Sequence, residues 1–409
     1  MAIEFLVNGS ADPKARYVTW AASPCSIRLT AGNGLASPLA VTLRNKPSTS
    51  GGTVVFYANS GASASNSLSL TLTVGTPVSF LMGGKFGKPS TSDGDVTVQV
   101  MAGTKVVAEI PLMVRIRKNA NTLSASERDR FIAALAQLNN KGAGHYADFR
   151  NIHNQAGSPE AHSAPGFLPW HRAFLLDLER HLQAIDSSVA LPYWRFDQKA
   201  PAVFTRDFFG SSNSLGTVQF SATNPLQFWV TDGVPGIKRR PLFNVATQPA
   251  NNVFTETQTL ALGDQFADFR NMEDNPHGFA HTSFGGSISS IPTAVKDPLF
   301  FLIHANVDRL WAKWQKKFTR YDSADAASFD STTPPGGNRI GHNLDDTMWP
   351  WNGITGGQRP PTAPGGPMPD SVCASSPGPT PKVEDLLDYR GVVEADSRLE
   401  FDYDDVPFA

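Results

Sequence analysis

The chain has 409 residues, more than one ordinary compact core takes up, so two domains are expected. Hydrophobic residues at 40% and charged residues at 18% describe a globular protein, and 34 Gly with 31 Pro promise long connections, which excludes wholesale disorder. With 35 basic against 37 acidic residues, the formal charge of −2 offers no electrostatic footprint for nucleic acid or an anionic membrane, which leaves small-molecule chemistry.

No apolar run is long enough to span a bilayer, and Met1–Arg16 lacks the basic-then-apolar layout of a secretory signal, so a soluble chain is expected with its compartment open. Cys25 and Cys373 are too few and too far apart for a disulfide framework or a zinc cluster. From Arg16–Trp20 to Lys105–Ile116, β-branched and apolar runs recur between Gly, Ser, Asn and Pro clusters; Ser67–Val74 alternates with period two, as a half-buried strand does. Residues 1–117 therefore read as an all-β, sandwich-like domain. It holds no histidine and no clustered carboxylates, so it carries no visible chemistry, and its protein partner is unknown.

Helical signals begin at once beyond it. Ser124 and Glu127 form a capping box ahead of Phe131, Ile132, Leu135 and Leu138. A second helix is expected from Tyr146 to Gln155, with Phe149, Ile152 and His153 on one face. A third follows Pro169, where His171, Phe174, Leu175, Leu178, Leu182 and Ile185 make an apolar stripe. Residues Phe196–Phe266 read as loops without chemistry. Helix returns over Phe266–Phe284, and Asp297 with Pro298 starts another that bears Phe300, Phe301, His304, Val307, Trp311 and Trp314. Near the end, Leu399, Phe401 and Tyr403 suggest a short strand. The second domain is thus mainly α, over residues 118–409.

Nine histidines carry the information. Any one of them, taken singly, reads as a hydrogen-bonded core or surface group. As a set they do not: His153, His162 and His171 cluster, and so do His277, His281 and His304. His277 and His281 stand four apart, which on a helix places both rings on one face. His171 and His304 lie on inward stripes among Phe, Leu and Trp, where an imidazole is costly unless its nitrogens have partners. Six imidazole donors with no cysteine or carboxylate cluster favour copper or zinc over iron, magnesium or calcium. His145, His181 and His342 fit neither triplet.

The run HSAPGFLPWH at His162–His171, followed by RAFLLDLERHLQ and by LPYW at Leu191–Trp194, resembles the first copper-binding region of the tyrosinase and catechol oxidase family. His277, His281 and DPLFFLIHANVDRLWAKWQ at Asp297–Gln315 resemble the second. The resemblance covers roughly Ser124–Asp404 and says nothing of the first 117 residues. It implies a four-helix bundle with two copper ions, one on His153, His162 and His171 and the other on His277, His281 and His304, which uses dioxygen to oxidise phenolic substrates.

The resemblance also implies roles around the metals, and the departures from it limit them. Glu273 matches a carboxylate positioned to take a phenolic proton. Gly278 stands where efficient monophenol hydroxylases often have asparagine, which favours oxidation of catechols or o-aminophenols. Thr282 and Ile291 form an uncharged pocket wall suited to simple apolar phenols. Phe300 is expected to stack on a ligand ring. Asp308 is expected to accept a hydrogen bond from one, or else to pair with Arg309 or Arg172. Ile303 replaces the histidine that often precedes the last ligand, and no cysteine is available to cross-link His162. The expectation is a dicopper oxidase of catechols or o-aminophenols, against a haemocyanin-like oxygen-binding protein or a full tyrosinase with monophenolase activity.

Overall fold

In the computed structural model, which describes residues 3–31, 37–154, 160–331 and 340–408, the alternating runs at the front of the chain become nine strands. These are β1 (Ile3–Val7), β2 (Tyr17–Val18), β3 (Ser23–Leu29), β4 (Leu39–Asn45), β5 (Val54–Tyr57), β6 (Ser67–Leu72), β7 (Val78–Gly84), β8 (Val96–Ala102) and β9 (Lys105–Val114). The order β1-β3-β7-β5 makes one antiparallel sheet. The order β2-β9-β8-β4-β6 makes the other, antiparallel except between β2 and β9. Phe5, Ile27, Phe56 and Met82 from the first sheet share a core with Val41, Leu43, Val98 and Leu112 from the second. In β6, Ser67, Ser69 and Thr71 are exposed while Leu68 and Leu70 lean on that core, so period-two patterning sets which face is buried. β1 was not expected; its apolar run has only Glu4 to mark alternation, yet its burial alternates.

Two compact units result. One comprises Met1–Arg117, Ser371–Ser375 and Leu399–Ala409; the other comprises Lys118–Asp370 and Ser376–Arg398. The expected division at residue 117 is corrected by the return of the two late segments to the first unit. There the Trp20 indole donates to the carbonyl of Tyr403 at 2.8 Å, and the Arg117 guanidinium lies 3.7 Å from the Phe401 ring centre. The strand expected at Leu399, Phe401 and Tyr403 does not form. Tyr403 makes a single bridge with Arg117, whose backbone bonds to those of Asp402 and Asp404, and side chains supply the remaining hold. Cys25 and Cys373 are buried and form no disulfide.

In the second unit α1 (Ala125–Asn139) begins at its capping box: the Ser124 hydroxyl accepts the N–H of Glu127 and the Glu127 carboxylate accepts that of Ser124. α2 runs over Tyr146–Asn154; Gln155 lies outside the described residues. α3 (Phe167–Ile185) starts earlier than expected and takes Pro169 into its first turn, where a missing N–H costs nothing. The stretch between Phe196 and Phe266 holds strand pairs of two or three residues and the single turn α4 (Glu256–Thr259).

The helix expected over Phe266–Phe284 is broken into α5 (Phe266–Phe269), a 3₁₀ turn Arg270–Glu273, a π turn Asp274–Gly278 and α6 (Phe279–Thr282). Asn275, at φ −133° and ψ 118°, leaves helical geometry because it precedes Pro276. α7 (Leu299–Phe318) follows, with the Asp297 carboxylate accepting the N–H of Leu299 at 3.0 Å. Among the described residues no helix is long and apolar enough to cross a membrane.

Aromatic side chains join α2, α3 and α7. Phe149 and Phe174 have ring centres 5.5 Å apart, Phe174 and Phe301 5.3 Å, and Phe149 and Phe301 6.0 Å. Two buried ion pairs fix what these apolar faces leave free. Arg239 grips both oxygens of Asp297 at 2.7 and 2.6 Å, which anchors the start of α7. Arg172 of α3 donates to Asp308 of α7 at 2.6 Å, to Gln315 at 3.0 Å and to the Leu386 carbonyl at 2.6 Å, and its guanidinium lies 3.6 Å from the Trp311 ring centre.

Removing one member of a buried pair strands the other. Asp308→Ala should therefore cost about 3 kcal/mol of stability, read as a lower midpoint in chemical denaturation. An unchanged midpoint would show that Gln315 and the Leu386 carbonyl suffice to hold Arg172.

Candidate metal centre

The second unit brings the six expected histidines together as two triads, His153–His162–His171 and His277–His281–His304, and within each the donor atoms lie inside 4.8 Å of one another. α2 supplies His153 and α3 supplies His171. The π turn supplies His277, α6 His281 and α7 His304. The triads adjoin: His171 and His304 stack with ring centres 4.2 Å apart.

Backbone carbonyls set the direction of four rings. The Nδ1 atoms of His153, His171, His277 and His281 lie 3.0, 2.9, 2.7 and 2.8 Å from the carbonyl oxygens of Ile291, Phe167, Glu273 and Ile288. An Nδ1–H donated there leaves Nε2 as a lone pair aimed inward. The Nε2 atoms of His153 and His171 are buried with no hydrogen-bond partner. In the other triad the Nε2 atoms of His277 and His281 each lie 3.2 Å from Nε2 of His304. A hydrogen on Nε2 of His304 could serve only one of these two acceptors, whereas a tetrahedral ion with bonds of about 2.0 Å spaces its ligands at roughly 3.3 Å, close to both separations. Orphaned lone pairs and an all-imidazole donor set fit two copper ions.

Burial first, and neighbouring imidazoles next, hold His153, His171, His277 and His304 well below the ordinary histidine value; burial takes His162 and His281 down to about 4. The ligands are thus neutral near pH 7. Phe300 stacks on His304 at 4.0 Å and meets His153 edge-on at 4.7 Å, which restrains one ring of each triad. Phe167 was not anticipated. Its ring centre lies 4.7 Å from His171 and 4.9 Å from His277, between the triads.

The three remaining histidines stand apart. His145 and His181 stack on each other at 5.3 Å near Asp148 and Asp177. His342 is buried and its Nδ1 accepts the N–H of Gly166 at 3.0 Å. A Cβ on Gly166 would fall 2.5 Å from the Gly341 carbonyl oxygen, so glycine is required for this approach just ahead of α3.

A cleft of about 850 Å³ opens onto both triads. Glu273, Gly278, Thr282, Ile291 and Phe300 all line it. Glu273 Oε1 accepts the N–H of Ser163 at 2.7 Å, and burial raises this carboxyl to about 7. Ser163, next to ligand His162, adopts φ 59°, an unusual conformation for a non-glycine residue that turns its N–H toward Glu273. Thr282 donates to the Gly278 carbonyl at 3.0 Å, so its hydroxyl is engaged by its own helix.

Two expectations need correction. Asp308 does not accept from a ligand ring: it pairs with Arg172, and Nδ1 of His304 has no hydrogen-bond partner. The cleft wall is not uncharged, because Arg270 and Asp274 line it beside Thr282 and Ile291. Both lie before the ligands at a spacing, 270, 274, 277 and 281, that a regular helix also places on one face, so the sequence held a signal for them.

Comparison with known proteins is consistent with this geometry. Residues 143–317 match the common central domain of tyrosinase. The chain is 34% identical over 269 residues to a tyrosinase of Streptomyces antibioticus, covering 59% of this chain and 94% of that protein. It is 31% identical over 287 residues to hemocyanin 2 of Megathura crenulata, covering 62% of this chain and 8% of that protein. Among solved structures, a polyphenol oxidase from Thermothelomyces thermophila aligns with a TM-score of 0.46 at 18% identity, over 71% of this chain and 88% of the other.

Metal analysis should find two copper ions per wild-type chain. In His281→Ala the number should fall to one, because the His153 triad keeps all its donors. Two retained ions, or one tightly held zinc in the wild type, would contradict the assignment of the triads.

Proposed function

Because the chain belongs to the tyrosinase family, in which a dicopper centre oxidises phenols, we propose that it converts catechols and o-aminophenols to quinone-type products and hydroxylates monophenols weakly or not at all. The copper pair supplies the two-electron exchange with dioxygen. The protein supplies six neutral imidazoles to hold the pair and a cleft through which an aromatic ring reaches it.

The observation that carries the reading is the open cleft of about 850 Å³ with Gly278 beside the first ligand of the second triad. An oxygen carrier has no use for such an entrance, so the cleft supports an enzyme over a haemocyanin-like role. Within the cleft Glu273 is the carboxylate better shielded from solvent, and it accepts the N–H of Ser163, the residue after ligand His162. A monophenol, with a pKa near 10, arrives protonated and needs that base well aligned. Gly278 brings no side chain to help align it. Catechols, which are more easily oxidised, make the smaller demand.

A Cβ built on Gly278 meets only the Glu273 carbonyl oxygen, at 3.6 Å, an ordinary contact, so asparagine fits there. Gly278→Asn should raise the ratio of monophenol to catechol turnover roughly tenfold, the effect of one added hydrogen bond in the transition state. Glu273→Gln in that background should suppress the gain, because an amide cannot take the proton. Copper-loaded wild type, assayed on a monophenol, a catechol and an o-aminophenol, tests the premise. Equal wild-type rates on monophenol and catechol would make it a full tyrosinase, and no turnover at full copper occupancy would favour the oxygen carrier.

A further inference from the structure

The cleft holds a cation that the dicopper chemistry does not use. Arg270 lines the cleft, and among the described residues its guanidinium makes no hydrogen bond. Its recorded partner is Asp330, whose Oδ2 stands 3.5 Å from Nε, longer than the 2.7–2.9 Å of a good charge-assisted bond. The Nε atom is buried while 30% of the side chain is exposed, so the group has one face on protein and one on the cleft.

Its placement follows from the broken helix. Arg270 and Glu273 are the first and last residues of one 3₁₀ turn, and residues three apart on such a turn eclipse, about 6 Å apart along the axis. Glu273 is tied inward, through the N–H of Ser163, to the neighbour of ligand His162. Arg270 therefore stands on the same edge as Glu273, one turn along. Phe254, Leu262 and Phe279 give the cleft apolar surface as well. An occupant that satisfied all of this would have a flat ring at the triads and an anionic group on a short tail.

Two carboxylates of the cleft compete with that tail: Glu273, which feels the charge of Arg270 but has one oxygen engaged by the Ser163 N–H, and Asp274. Asp274 also lines the cleft but is exposed, so water screens its repulsion. The buried side of Arg270 works at a lower effective dielectric, and a carboxylate can meet its fork with two hydrogen bonds where Asp330 meets it loosely.

The geometry points to Arg270 as a specificity-determining residue that selects catechols bearing a carboxylate on a short side chain. The inference rests on the catechol-oxidising reading of the same cleft and names the substrate class that reading left open.

Two measurements separate the inference from that reading. With copper-loaded protein, 3-(3,4-dihydroxyphenyl)propanoate and 4-methylcatechol are compared as substrates. Arg270→Gln should lower the acid-to-neutral ratio of kcat/KM roughly tenfold, through KM rather than kcat, and Arg270→Lys should restore part of it. Calorimetry with 3-phenylpropanoate and its uncharged amide, neither of them oxidisable as a catechol, reports recognition without turnover. The acid should bind the wild type more tightly than the amide, and Arg270→Gln should remove the difference. If the acid keeps this advantage in binding while neither catechol is oxidised, the proposed activity fails and the role of Arg270 stands. If acid and amide bind the wild type alike, or Arg270→Gln leaves both ratios where they were, the inference is wrong.

Discussion

Six imidazoles packed among Phe and Trp side chains can be tolerated only if their nitrogens are accounted for, and the second unit is arranged around that requirement. Four of the rings commit one nitrogen to a backbone carbonyl. The carbonyls of Phe167 and Glu273 stand four residues before their rings, so α3 itself orients His171, and the turn broken at Asn275 orients His277. Those of Ile288 and Ile291 belong to the segment leading into α7, so that segment is fixed in place by the rings it orients. Loss of its conformation would release one ring from each triad, His153 and His281, together.

The buried ion pairs serve the same end at longer range. Arg239 with Asp297 fixes where α7 begins, and Arg172 with Asp308 ties α7 to α3 one turn beyond His304 and one residue beyond His171. Apolar stripes alone let two helices slide or rotate with little penalty, whereas a buried guanidinium that meets Asp308, Gln315 and the Leu386 carbonyl at once has one register. His171 and His304 stack at 4.2 Å because that register is set.

Much of this was legible in the sequence where the determinants are local. The Ser124 capping box, the stripes of α3 and α7 and the alternation of β6 are each written within a dozen residues, and the structure contains them. The two histidine triplets showed by their spacing and by the family motif around them. What escaped depends on distant partners. The tail Leu399–Tyr403 has a strand's pattern, but side chains of the first unit, Trp20 and Arg117 among them, hold it in another conformation. Asp308 could be expected to face either a ligand or an arginine, and only the packing of α3 on α7 decides for Arg172. Arg270 stands seven residues before ligand His277, a spacing that shares one face of a helix, so its place on the cleft was legible although the histidine motifs alone do not mark it.

The depressed basicity of the ligands has a consequence for how the metals and the proton compete. Histidines in an exposed site release protons when a cation binds, and affinity drops as soon as pH falls below the middle sixes. Here the imidazoles are already unprotonated well below that, with His162 and His281 at about 4. Copper uptake near neutrality therefore liberates almost no acid, and mild acidification does little to compete the ions off. The cost falls on the metal-free chain. Between about 6.5 and 4 its unfolded form takes up protons that the folded form refuses, so acid shifts the balance toward unfolding, and bound metal opposes that shift by holding only the folded state.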